Sequence, residues 1–185
     1  MNAQNYTQKS LAAIQDAQAL TIRNENQQIE QIHLFSALLR QDDGLVRELL
    51  KRMGITVESL EAAVNQELAK LPRVTGAGRE ADKYYVARAV DETFQKAEDI
   101  AKSMKDEYVS VEHLLLALLD TADSTMKNLF RTYNITKEGC LKTLQTIRGS
   151  QRVTTDNPEG TYDALAKYGT DLVKQARDKK MDPVI

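Results

Sequence analysis

The sequence predicts an all-α fold made of two four-helix repeats packed about a pseudo-two-fold axis. Three observations predict it. The chain resembles itself at an offset of 80 residues without a gap. Apolar residues recur at helical spacing in both halves. Breakers are scarce, with three Pro and eight Gly in 185 residues.

The duplication is clearest between HLFSALLRQDDGLVRELLKRMGITVE, from His33, and HLLLALLDTADSTMKNLFRTYNITKE, from His113. Identical pairs are His33/His113, Leu34/Leu114, Ala37/Ala117, Leu38/Leu118, Leu39/Leu119, Asp43/Asp123, Leu49/Leu129, Ile55/Ile135, Thr56/Thr136 and Glu58/Glu138. Average residue usage predicts roughly one or two such matches by chance. Self-similarity on this scale is the mark of a repeated supersecondary unit.

Each repeat reads as four helices. The first opens after Thr7, an N-cap residue type, and carries Ala13, Ile14, Ala17 and Leu20 on one face. The second starts near His33 and the third runs to Met53. Gly54 and its twin Asn134 stand where that helix stops, and both residue types tolerate the left-handed conformation after a helix end. The fourth opens at Thr56 and shows Leu60, Val64 and Leu68; its twin opens at Thr136 and shows Cys140, Leu144 and Ile147. Repeat one spans about 7–70 and repeat two about 87–148. Neither is large enough for a generous core alone, so the two should share one. Pro72, Gly76 and Gly78 mark a connector between them. The polar stretch 149–162, with two glycines and Pro158, reads as a flexible linker. One more amphipathic helix follows, through Leu165, Tyr168, Leu172 and Ala176, and the apolar pair Val184-Ile185 reads as a truncation.

Composition narrows the function. Net charge is −2, which argues against nucleic acid and anionic membranes as partners. A single cysteine cannot form an internal disulfide, and a reducing, cytoplasmic setting fits. No apolar run approaches the roughly 20 residues that span a bilayer. Catalytic patterns are missing as well. There is no G-x-x-x-x-G-K-[ST], so no phosphate cradle and no cofactor site is expected in this chain. His33 and His113 are the two histidines; a metal site needs three or four converging ligands. Each sits at the third position of its helix, where it can bond back to the N-cap backbone, with Ser110 as cap of the second copy and Glu112 favoured by the helix dipole. Cys140 is the twin of core Leu60, which points to a buried, inert thiol rather than a nucleophile.

The doubled HLxxALL unit resembles the Clp N-terminal repeat domain found at the front of Clp ATPases, over roughly residues 3–148. The connector LAKLPRVTGAG, the linker GSQRVTTDNPEGTYDAL and the closing stretch LAKYGTDLVKQARDKKMDPVI are similar to those of the disaggregating ClpB branch. Glu30 departs from the usual Thr or Ser cap, which predicts a looser start to that helix. The resemblance implies a domain layout of 1–148 as the repeat module, 149–162 as linker and 163–185 as the start of the first nucleotide-binding module. It implies a full-length homohexamer that uses ATP and Mg, works with a DnaK-type chaperone and threads unfolded or aggregated polypeptides, this fragment being a monomer that captures exposed apolar segments. An adaptor-docking domain of a protease-coupled Clp ATPase is the alternative.

Two similar units packed face to face should leave a groove where their first helices meet. Apolar side chains without an apolar twin are the candidates to line it. Leu11 pairs with Asp91 and Val90 with Ser10, and Tyr85 precedes the second unit's first helix. Thr7, Asp106 and Glu112 match polar positions of the family pattern and complete the candidate polypeptide-binding set.

Overall fold

Helix starts and stops follow the caps. The computed structural model describes residues 1–74 and 84–159. A 3₁₀ turn at Ala3–Asn5 leads into α1 (Gln8–Arg23), α2 (Gln31–Arg40), α3 (Leu45–Arg52) and α4 (Val57–Ala69). Repeat two follows as α5 (Arg88–Ser103), α6 (Val111–Thr121), α7 (Ser124–Thr132) and α8 (Lys137–Arg148). Gly54 and Asn134 both take positive φ, 84° and 55°. Glu25 and Lys105 form a second such pair, at 57° and 61°, which residue type alone did not signal. The connector segment 75–83 and the helix expected over 163–185 lie outside the described residues.

The repeats share one hydrophobic core. Phe35 of repeat one meets Phe130 of repeat two edge to face, with centroids 5.5 Å apart, a geometry worth about 0.5–1.5 kcal/mol beyond burial. Gln31 links the halves by polar contacts: its Nε2 donates to Thr93 Oγ1 (3.0 Å) and the Thr121 carbonyl (2.9 Å), and its Oε1 accepts from the Asp123 N–H (2.9 Å).

Two short extended segments accompany the helices of the all-α fold. Gln28–Ile29 (β1) and Tyr85–Val86 (β2) form a two-residue parallel pair. Its pseudo-symmetric counterpart is the parallel bridge Tyr6↔Val109. Each repeat therefore lends the segment before its first helix to the segment before the other's second helix. The extended backbone there needs partners, and the neighbouring repeat supplies them. Ala87 N–H bonds to Ile29 O and Thr7 N–H to Val109 O, both at 3.0 Å, one interaction seen twice.

After each fourth helix the chain also crosses back to the turn before the second helix. In repeat one Val74 N–H bonds to Glu25 O at 2.8 Å; in repeat two Glu107 N–H bonds to Val153 O at 2.8 Å. The composition of 149–162 suggested a free linker, but the described part packs on the repeats. Val153 and Glu159 are buried, and Gln8 N–H bonds to Asp156 O at 2.8 Å. One apolar residue and one carboxylate are enough to anchor a polar stretch when each meets a prepared partner.

Candidate functional site

The polar candidates gather around the start of α6. Ser110 N–H donates to His113 Nδ1 at 2.9 Å, so the ring proton sits on Nε2, which points to Asp106 Oδ2 at 2.7 Å. Arg148, at the end of α8, reaches Asp106 Oδ1 (2.7 Å) and Glu112 Oε2 (3.3 Å). All four of these side chains are at most 3% exposed. Burial alone would raise the Asp106 pKa, but hydrogen bonds from His113, Arg148 and the Val153 N–H, with the Arg148 charge, outweigh it and hold Asp106 at about 2. Thr7 caps α1 by accepting from Ser10 N–H, and its hydroxyl donates to Glu159. Thr7, Asp106 and Glu112 are thus neighbours in one buried network rather than open contacts.

Repeat one builds the same box with Glu30 as its cap in place of Ser110 and with Asn26 in place of Asp106. Glu30 N–H donates to His33 Nδ1 at 2.9 Å, and His33 Nε2 meets Asn26 Oδ1 at 2.8 Å. The helix start is therefore held despite the unusual cap residue. Burial lowers the His33 pKa to about 4. Cys140 is fully buried beside Met53, and burial pushes its thiol up to about 12. Among the described residues no group of three or more His, Cys, Asp or Glu side chains could hold a metal ion.

An apolar groove of about 200 Å³ lies between α1 and α5. Ile14 and Ala17 form one wall and Val90 and Phe94 the other, with Ile29 and Leu34 below. Met1 and Val86 stand at the mouth, 62% and 41% exposed, and Tyr85 beside Val86 is 65% exposed. The groove lies between the first helices, but its lining differs from the candidate set. Val90 lines it; Leu11 packs against the main core instead and Tyr85 is only adjacent. Selecting apolar residues without a twin missed Ile14 and Phe94, a matched pair that both line it. Ile14 and Phe94 are the one equivalent pair among the lining residues; the twins of the others, Ser10 for Val90 among them, do not line it.

Arg148 and Glu159 were also missed. A signal for Arg148 exists in the repeat register, because its twin is the buried core residue Leu68. A cation at a core position demands buried anions nearby. Nothing in the sequence marks Glu159, since its partners come from α1 and α6.

A duplicated eight-helix module with crossed lead-in segments and a groove between its first helices is the fold class of a double helical repeat domain. The chain belongs to the family of the Clp repeat (R) N-terminal domain, which matches residues 5–133. It is similar along its whole length to ClpB chaperone proteins, at 41% identity over 185 residues to that of Clostridium tetani and 44% over 186 residues to that of Nitratidesulfovibrio vulgaris. The chain spans about a fifth of the length of these relatives, 21% and 22%. In structure it is similar to the Hsp104 N-terminal domain of Candida albicans, with a TM-score of 0.73 at 25% identity, covering 84% of this chain and 99% of that one. The N-terminal domain of the ClpV1 ATPase of E. coli shares the fold at 16% identity and a TM-score of 0.66, over 84% of this chain and 91% of that one.

Proposed function

We propose that this module captures exposed apolar segments of unfolded or aggregated polypeptides in the groove between α1 and α5. The observation that carries the reading is the coincidence of an apolar groove with exposed apolar residues at its mouth. Met1, Tyr85 and Val86 account for three of the five large exposed apolar side chains among the described residues. Such clustering marks a contact surface. Burying two apolar side chains contributes about 3–6 kcal/mol at roughly 1.5–3 each. That corresponds to about 10⁻² to 10⁻⁵ M before ordering costs. Weak capture suits a module that must pass its client on.

The rest of the assignment follows from similarity to the ClpB chaperones. Residues 1–148 are the capture module, 149–162 the connector, and 163–185 the start of a nucleotide-binding module. The longer protein is a cytoplasmic homohexamer that spends ATP, with Mg, to thread clients and cooperates with a DnaK-type chaperone. The test is Val86→Asp, an exposed position whose change leaves the core intact, against Leu141→Asp, 40% exposed on α8 and outside the groove. Val86→Asp should weaken binding of a permanently unfolded protein about tenfold or more, with Leu141→Asp unchanged. Equal binding by both variants would overturn the groove assignment.

A further inference from the structure

The segment after α8 does more than connect. It turns at Gly149, at φ 59°, and runs over the helix starts of both repeats. Gln151 O accepts from Arg148 Nη2 at 2.9 Å. The Val153 side chain is fully buried, and its N–H donates to Asp106 Oδ1 at 2.9 Å. Asp156 O accepts the first amide of α1, Gln8 N–H. Glu159, 1% exposed, accepts the first amide of α6, Val111 N–H, at 3.1 Å, and the Thr7 hydroxyl. One strand of polar sequence thus caps α1 of repeat one and α6 of repeat two, filling orphan donors that helix starts leave.

The seat is imperfect at one point. Glu159 Oε1 and Glu112 Oε1 are both buried without hydrogen-bond partners among the described residues. Two carboxylates share this end of α6 while Arg148 is directed at Glu112 Oε2 and Asp106. An arrangement that seats a carboxylate beside another can be undone by charge, unlike the apolar core beneath it.

We propose that residues 149–159 form a releasable strap, with Glu159 as its latch, that sets whether residues from 160 onward leave the module at a fixed point on α1 and α6 or on a free tether. Seated, the strap fixes that exit beside Thr7 and Val111. Released from Gly149, it gives about ten residues of chain with a reach of about 35 Å. The choice governs how far the module can swing while holding a client, and it stands whether or not the groove is where clients bind.

Burial, and then the Glu112 charge, raise the Glu159 pKa. A pKa raised in the seated state means that seating takes up a proton, so the latch tightens as pH falls and loosens as pH rises through that value. The titratable and charged groups on the packed elements are Glu112 and His113 on α6, Asp106 before it, Arg148 ending α8 and Lys9 in the first turn of α1.

Amide exchange of the whole chain tests this with two variants. Glu159→Ala should speed exchange at Gln8, Val111 and Val153 by about tenfold or more and leave Leu49 and Leu50 in α3 unchanged. Glu159→Gln keeps an acceptor for Val111 and removes the charge that opposes Glu112. It should protect the same amides better than the parent wherever the parent's Glu159 is ionised, and flatten the parent's dependence on pH. Unchanged exchange in Glu159→Ala would show that Glu159 holds nothing. Loss of α3 protection as well would show the segment to be part of the core rather than a strap. A parent whose protection ignores pH, after correction for intrinsic rates, would exclude the carboxylate as the latch.

Discussion

Repeat one and repeat two place the same histidine in the same box, yet it meets an amide in one and a carboxylate paired with a buried arginine in the other. At equivalent positions repeat one has Asn26, Ile32 and Leu68, where repeat two has Asp106, Glu112 and Arg148. The histidine contacts hardly differ, 2.8 Å to Asn26 and 2.7 Å to Asp106. The helical frame therefore does not need the Asp106, Glu112 and Arg148 set. What the charged version adds is the anchorage of the chain that follows: Asp106 takes the Val153 N–H, and Arg148 takes the Gln151 carbonyl. Duplication kept the scaffold and altered one end of it to handle the exit of the chain.

Breaking the ionic set should have the largest effect. Arg148→Leu alone leaves Asp106 and Glu112 buried without their cation and should cost about 3–5 kcal/mol in urea unfolding. Copying all three residues from repeat one, Asp106→Asn with Glu112→Ile and Arg148→Leu, should recover most of that loss, because replacing a whole buried ionic group by packed residues is often neutral. The triple variant should still lose protection at Val153. If it is as unstable as Arg148→Leu, the equivalence of the two boxes is wrong.

Acid should affect the repeats in different windows. His33 is held at about 4, below its ordinary 6.5, so the unfolded chain binds its proton first. Stability is then lost as pH falls from 6.5 to 4, by about 3 kcal/mol in all. Asp106 is held at about 2, below 3.8, and its contribution, about 2 kcal/mol, is lost only as pH falls from 3.8 toward 2. Stability against pH, measured by denaturant unfolding, should lose its upper step in His33→Gln and its lower step in Asp106→Asn.

The smallest contrast concerns the fourth helices. Thr136 caps α8 by accepting the Gly139 N–H at 3.0 Å, whereas Thr56 makes no such bond at α4. Thr136→Ala should cost about 1 kcal/mol, and Thr56→Ala no more than about 0.5 kcal/mol, as an ordinary surface change does. Equal costs would mean that the caps are equivalent after all.

These contrasts show where the sequence was readable. The eight helices, the two left-handed stops at Gly54 and Asn134 and the shared core follow from periodicity, cap residues and the 80-residue offset, because those are local or repeated signals. The β1–β2 pair was not legible, since two residues carry no alternation and the pairing partner lies in the other repeat. A groove was expected where the first helices meet, and one lies between α1 and α5; Val90 lines it, while Leu11, partly buried, packs against the main core. Thr7, Asp106 and Glu112 were recognisable as a set, yet their burial depends on Arg148 and on Val153 to Glu159, whose contacts are long-range.

The most direct measurement is a titration of the labelled chain with a permanently unfolded polypeptide, followed by amide and methyl chemical shifts. Capture in the groove predicts concentration-dependent shifts at Ile14, Gln18, Val86, Val90 and Phe94, with a dissociation constant on the order of 10⁻⁵ M or weaker and little change at Leu141. Shifts confined to α8, or none at these positions at saturating polypeptide, would contradict it.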